Sequence, residues 1–134
     1  MNEAGRFLDG LRRQRAKYAE MAGVAADQRR ALEASDMDAL LRVVERKRAL
    51  LAEIGAIDRD VAPFRAGWDT LKGSVDAAAV REIEAEVAAI RDMLKDLVRQ
   101  EDEGRAALEK RRETATVDLQ ALLAKSKARG AYGR

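Results

Sequence analysis

The sequence contains no cysteine and no histidine. Without cysteine there is no disulfide, no thiolate nucleophile and no Cys-ligated zinc. Without histidine the commonest general base and the commonest metal ligand are both missing. Carboxylate chemistry survives these exclusions and most other catalytic constellations do not, so the composition points away from an enzyme and from any cofactor. Proline occurs once in 134 residues. No stretch approaches the ~20 consecutive apolar residues of a membrane span. The opening MNEAGRFLDGLRRQRAKY is charged every few residues and lacks the apolar run of a signal peptide. The expectation is a soluble, cytoplasmic chain with no stable membrane insertion.

What is present is apolar residue at 47% and charge at 37%, against the ~25% charge of an average globular domain. An Ala/Leu/Arg/Glu alphabet at that charge reads as long helices washed by solvent. The 26 basic and 24 acidic residues leave a net charge of +2, too balanced for a polyanion partner. A length prior of ~100–200 residues per domain makes residues 1–134 a single helical domain.

Three helices follow from the spacing of apolar residues. The first covers about 3–34, with Phe7, Leu11, Tyr18, Met21, Ala25 and Leu32 on a seam whose polar members are Gln14 and Gln28. Ser35-x-x-Asp38 then reads as a capping box opening a second helix, about 36–71. Its seam is Leu40, Val43, Lys47, Leu50, Ile54, Ile57, Val61 and Phe64. Pro63 removes a backbone donor and crowds the preceding turn, which predicts a kink near Asp60–Pro63. Lys72-Gly73-Ser74 ends this arm. The third helix, about 75–129, has a seam of Val80, Ile83, Val87, Ile90, Leu94, Leu97 and Val98. A polar stretch from Arg99 to Arg105 follows, and apolar residues resume at Leu108 and from Ala115 to Leu123. Residues 130–134 read as a frayed tail. Short connections force antiparallel neighbours. The expected fold is all-α: an elongated antiparallel three-helix bundle with coiled-coil-like packing and a long C-terminal helix.

Four features stand out as candidates. The acids Glu82, Glu84, Glu86 and Glu101–Glu103 lie off the seam and lack the Glu-x-x-His pairs of a di-metal bundle, so a solvated face explains them and no metal site is expected. The closing AKSKARGAYGR carries four bases and no acid. Four side chains neutralise too few phosphates for strong nucleic-acid binding, which leaves a frayed end or a docking peptide presenting Tyr132. The 115–123 stripe reads either as helix packing, including a homodimer, or as a groove-binding face. Trp68 beside the kink reads as an anchor at the end of the core.

The layout also resembles a known family. The turn and second arm, Ala34-Ser-Asp-Met-Asp-Ala-Leu-Leu and Val44-Glu-Arg-Lys-Arg-Ala-Leu-Leu-Ala-Glu-Ile, resemble FlgN-type flagellar export chaperones. The polar break Val98-Arg-Gln-Glu-Asp-Glu-Gly-Arg-Ala-Ala-Leu-Glu and the ending Gly130-Ala-Tyr-Gly are similar to the C-terminal half of that family. The resemblance implies a cytoplasmic type III export chaperone that holds hook–filament junction (hook-associated) proteins before secretion. It implies that the cargo's C-terminal amphipathic helices dock near Leu108, Ala115, Leu119, Leu122 and Leu123, and that Tyr132 meets the export gate. The alternative is a structural coiled-coil stalk or scaffold protein of an export apparatus or another assembly. That reading requires an unbroken two-helix hairpin, which Pro63 and Lys72-Gly73-Ser74 disfavour.

Overall fold

A computed structural model describes the backbone of residues 2–132 and the side chains through residue 126. Four helices follow one another: α1 (Glu3–Glu33), α2 (Met37–Ala66), α3 (Trp68–Lys72) and α4 (Ala77–Tyr132). No strand occurs among the described residues, so the fold is all-α with a long C-terminal helix, as expected. By contact density the chain divides into Met1–Arg99 and Gln100–Arg134; residues 77–99 of α4 belong to the first unit.

The starts of α1, α2 and α4 are each fixed by a side chain that satisfies an otherwise orphaned amide, whereas α3 begins at Gly67 with no side-chain cap. The Gly5 amide donates to Asn2 at 2.8 Å, that of Ala39 to Asp36 at 3.0 Å, and that of Ala79 to Asp76 at 2.8 Å. The cap of α2 is therefore Asp36, one residue beyond the Ser35 of the expected capping box. Ser35 has another task. It sits at φ 53°, its amide donates to the Leu32 carbonyl at 3.1 Å, and the Asp36 amide donates to the Ala31 carbonyl at 2.9 Å. These two bonds make a Schellman stop for α1, with serine at the left-handed position that glycine usually holds.

The second arm, expected as one helix of about 36–71 kinked near Pro63, is interrupted at Gly67. Pro63 is exposed and lies inside α2, which continues to Ala66. Fully buried Val61 and half-buried Phe64 hold the helix to the core on both sides of it, so the missing donor is tolerated. The chain leaves helical geometry at Gly67 (φ −96°, ψ 11°), the residue least costly to bend, and α3 begins directly after it.

In the first unit α1 and α2 run antiparallel. Arg13 meets Asp60 at 3.8 Å, Lys17 meets Glu53 at 2.9 Å, and Glu20 meets Arg46 at 2.7 Å. Residues 77–99 of α4 run parallel to α1, because Arg12 pairs with Glu82 and Arg15 with Glu86 in the same order along both helices. Between the three lies a core of Ala4, Phe7, Leu11, Ile57, Val61, Ile83 and Ile90. Phe7 stacks on Phe64 with centroids 5.8 Å apart and meets Trp68 edge-on at 5.5 Å. Trp68 thus joins the core, as the sequence suggests. A second cluster, Met21, Val24, Leu50 and Ile54, continues along the hairpin.

Two predictions come from these contacts. Serine in left-handed geometry costs ~1 kcal/mol relative to glycine, so Ser35→Gly raises stability by about that amount in denaturant titrations. The second concerns Lys17 and Glu53. Their hydrogen bond holds the lysine above, and the glutamate below, its ordinary pKa. A lowered carboxylate pKa stabilises the fold above the ordinary glutamate range, and that contribution is lost as pH falls through the lowered value. The raised lysine acts at the other end: its contribution is lost only as pH rises past the raised value. Glu53→Gln should therefore make the unfolding midpoint less sensitive to acidification, and also less sensitive to pH above the ordinary lysine range, with its slope near neutrality unchanged. An acid limb as steep as the parent's would show that the pair contributes nothing.

Candidate functional site

The second unit, residues 100–134, is helical through Tyr132. Every described residue from 105 to 126 is exposed. Leu108, Leu119, Leu122 and Leu123 are 43%, 57%, 64% and 59% exposed, and Ala115 is exposed with them. At ~100° of rotation per residue, Leu108, Ala115, Leu119 and Leu122 step by seven, four and three along one side of the helix, with Leu123 at its edge. Val117, 62% exposed, lies on roughly the opposite side. All five residues that the resemblance implies for cargo therefore share a single stripe. The side chain of Tyr132 lies outside the described residues.

The polar stretch before the stripe is held by local pairing. Arg99 reaches Asp96 at 3.6 Å and Arg105 reaches Asp102 at 3.7 Å. Further along, the Thr114 and Thr116 hydroxyls donate to the Lys110 and Arg112 carbonyls one turn back, at 3.0 and 2.9 Å. A helix segment without a buried face depends on such local bonds. Chemically the stripe offers a row of leucine side chains with water as their present neighbour, the surface that an amphipathic helix of a partner would cover.

The acids off the seam are not merely solvated. Glu82, Glu84 and Glu86 pair with Arg12, Lys72 and Arg15 at 3.5, 3.2 and 3.2 Å, and they tie neighbouring segments of the first unit together. No group of three or more potential metal ligands occurs among the described residues. Lys47 is half-buried on the α2 seam. Gln14, a polar member of the α1 seam, is 1% exposed and donates to Asp58 at 3.1 Å.

Sequence reasoning missed a second apolar row. Met37, Leu41, Val44 and Leu51 on α2 are 66%, 58%, 43% and 55% exposed. They repeat by four, three and seven, one residue out of step with the row of half-buried Leu40 and Val43 and buried Leu50 and Ile57. The signal was present in the sequence. It was hidden because two adjacent heptad rows look like one broad apolar face.

The chain matches the family model described as "FlgN protein" over residues 1–134 and belongs to the FlgN family. This is a family of flagellar export chaperones, not of enzymes, and its members bind flagellar proteins. No helix among the described residues is long and apolar enough to cross a membrane. Neither a curated protein nor a solved structure matches the chain.

Gly104 tests how the second unit is held. A methyl group added there meets nothing within 4 Å, while glycine costs a helix ~1 kcal/mol relative to alanine. Gly104→Ala should slow amide hydrogen exchange about fivefold in the flanking turns. Unchanged exchange would mean that the segment is not held by helix propensity.

Proposed function

We propose that this protein is a cytoplasmic chaperone for hook-associated proteins of the hook–filament junction, which it holds before type III export. The cargo's C-terminal amphipathic helix lies along Leu108, Ala115, Leu119, Leu122 and Leu123, and Tyr132 serves contact with the export gate. One observation supports the reading above others: this stripe is amphipathic at heptad spacing and yet exposed along its whole described length. Burial of a leucine is worth ~1.5–3 kcal/mol. An intramolecular packing role would have claimed that energy within the chain.

The mechanism requires no chemistry. An aggregation-prone helix of the cargo exchanges water for the leucine row, and the chaperone's own row is covered in the same step. Binding of this kind is reversible, since a stripe of four leucines and an alanine is short compared with the interface of a permanent complex. Release to the export machinery then needs only a competing surface. The scaffold alternative is weakened by the interruption at Gly67 and the separate α3, which give more than an unbroken hairpin.

The test is a titration of a hook-associated protein's C-terminal segment into the full-length chain and into Leu119→Glu/Leu122→Glu. Loss of two buried leucines should weaken binding about 100-fold, with the helicity of the variant unchanged. Equal binding by both would move the cargo off this stripe. A wild-type chain that binds no hook-associated segment at low salt and excess peptide would sink the chaperone reading.

A further inference from the structure

The first unit carries a surface that the cargo stripe does not use. On α2, Arg46, Glu53 and Asp60 recur by seven along one flank and pair with Glu20, Lys17 and Arg13 of α1. Val44 and Leu51 lie on the other side of the row of half-buried Val43 and buried Leu50 and Ile57 from that ion-pair ladder. The same division holds on α4. Glu82 and Glu86 pair with α1 on one side of buried Ile83 and Ile90, and Leu94 and Val98 follow the other side. The two helices share their cores: Ile57 and Val61 of α2 lie in one cluster with Ile83 and Ile90 of α4, and Leu97 packs against the cluster of Met21, Val24, Leu50 and Ile54. The free flanks of α2 and of residues 77–99 of α4 therefore border one surface. Its floor is Val44, Leu51, Leu94 and Val98, 43%, 55%, 39% and 59% exposed, and Met37 and Leu41 prolong it along α2.

The rim of this floor is cationic. Arg48 and Arg59 stand on the outer edge of α2, and Arg91 and Lys95 on that of α4; all four are exposed. Arg59 lies back along its own helix, its guanidinium 3.9 Å from where a Cβ on Gly55 would be. The α1-facing flanks are ladders of matched ion pairs, whereas none of these four cations stands in an ion pair with a described residue. On the α4 edge Glu84 is taken by Lys72 at 3.2 Å and Asp96 by Arg99 at 3.6 Å, and at ~100° per residue Asp92 and Glu45 fall further round their helices. In a chain whose charge sums to only +2, a row of unmatched cations beside an apolar floor is a local excess.

From this we propose that the α2–α4 face of the first unit is a docking groove for an amphipathic helix with acidic flanks, supplied by a partner protein. The occupant sets its apolar row on Val44, Leu51, Leu94 and Val98. Its carboxylates meet Arg48, Arg59, Arg91 and Lys95. A charge-balanced chain leaves cations unmatched on one face at a cost in self-repulsion, which a carboxylate-flanked helix removes. From Met37 to Leu51 the row spans ~21 Å of helix, which sets the occupant at about four turns. The groove is distinct from the 108–123 stripe, so the inference does not rest on the cargo assignment.

The experiment uses three fluorescent peptides of about 18 residues and the full-length chain. One peptide has leucine at heptad positions and glutamate at the flanks, the second has lysine at the flanks, and the third is a scramble of the first with the same charge. The expected result is that the acidic helix binds at least tenfold more tightly than either control. In a chain that also carries Leu119→Glu/Leu122→Glu, so that the 108–123 stripe does not take up the peptide, Arg91→Glu/Lys95→Glu and, separately, Leu51→Gln should each lose tenfold or more. Equal binding of the scramble would overturn the groove in favour of unspecific charge attraction. No preference between glutamate and lysine flanks would overturn the acidic occupant. Concentration-dependent dimerisation abolished by Leu51→Gln, with no peptide binding, would assign the face to a second copy of the chain.

Discussion

The architecture of the first unit depends on how closely α1 and α2 approach. At Gly10 a Cβ atom would lie 3.0 Å from the Cγ1 of Val61, and Val61 is fully buried and β-branched, with little freedom to withdraw. Glycine at this point lets the two backbones close on each other. That approach brings Phe7 and Leu11 against Ile57 and Val61 and aligns the ladder Arg13–Asp60, Lys17–Glu53 and Glu20–Arg46. Gly10 is weak as a helix former, and its cost is offset by contact elsewhere on the same turn.

Register is a second consequence. An apolar seam alone permits sliding by a heptad, because one leucine row fits another at several offsets. Here the offset is marked by a polar group inside the core. Gln14, 1% exposed, gives its amide hydrogen to Asp58, which also receives Arg65 at 3.2 Å. A slipped hairpin would bury that amide without a partner, which is costly in a low-dielectric interior. The Gln14 Oε1 has no protein donor; the specificity thus comes from one bond made and one left open.

Much of this was legible in the residue pattern, and the misses have physical causes. The buried seam of α2 was readable because Leu50, Ile54, Ile57 and Val61 carry a spacing that only a helix brings to one side. The Trp68 anchor and the turn near Ala34–Asp36 were readable for similar local reasons. The break at Gly67 was not, because proline's cost is local while the anchoring of Val61 and Phe64 is tertiary. Ser35 was read as a cap since serine favours that place; the left-handed stop it makes depends on two carbonyls that become available only when α1 ends. The five residues of the 108–123 stripe fall on one helix side, as their spacing dictates. Their exposure could not be read from sequence, because an amphipathic row has the same pattern whether covered or bare. The α2–α4 face escaped for the converse reason: its residues are one step from a real core row.

The exposed stripe imposes its own requirement on the helix that carries it. A helix whose apolar side is not buried gains nothing from packing and must rely on propensity and on pairs three or four residues apart. Arg105–Asp102 and the threonine back-bonds are pairs of that type, each worth a few tenths of a kcal/mol. Such a helix lies near the balance point between folded and frayed. A partner that covers the leucines therefore both gains their burial and completes the folding of the surface it binds, and part of the gain is spent on that ordering. The resulting affinity is lower than the apolar area suggests. Unit 1 has the opposite economy: its helices are already fixed by a closed core and an ion-pair ladder. A ligand on its rigid α2–α4 face pays little to order the site, so affinity there is set by charge match rather than by folding.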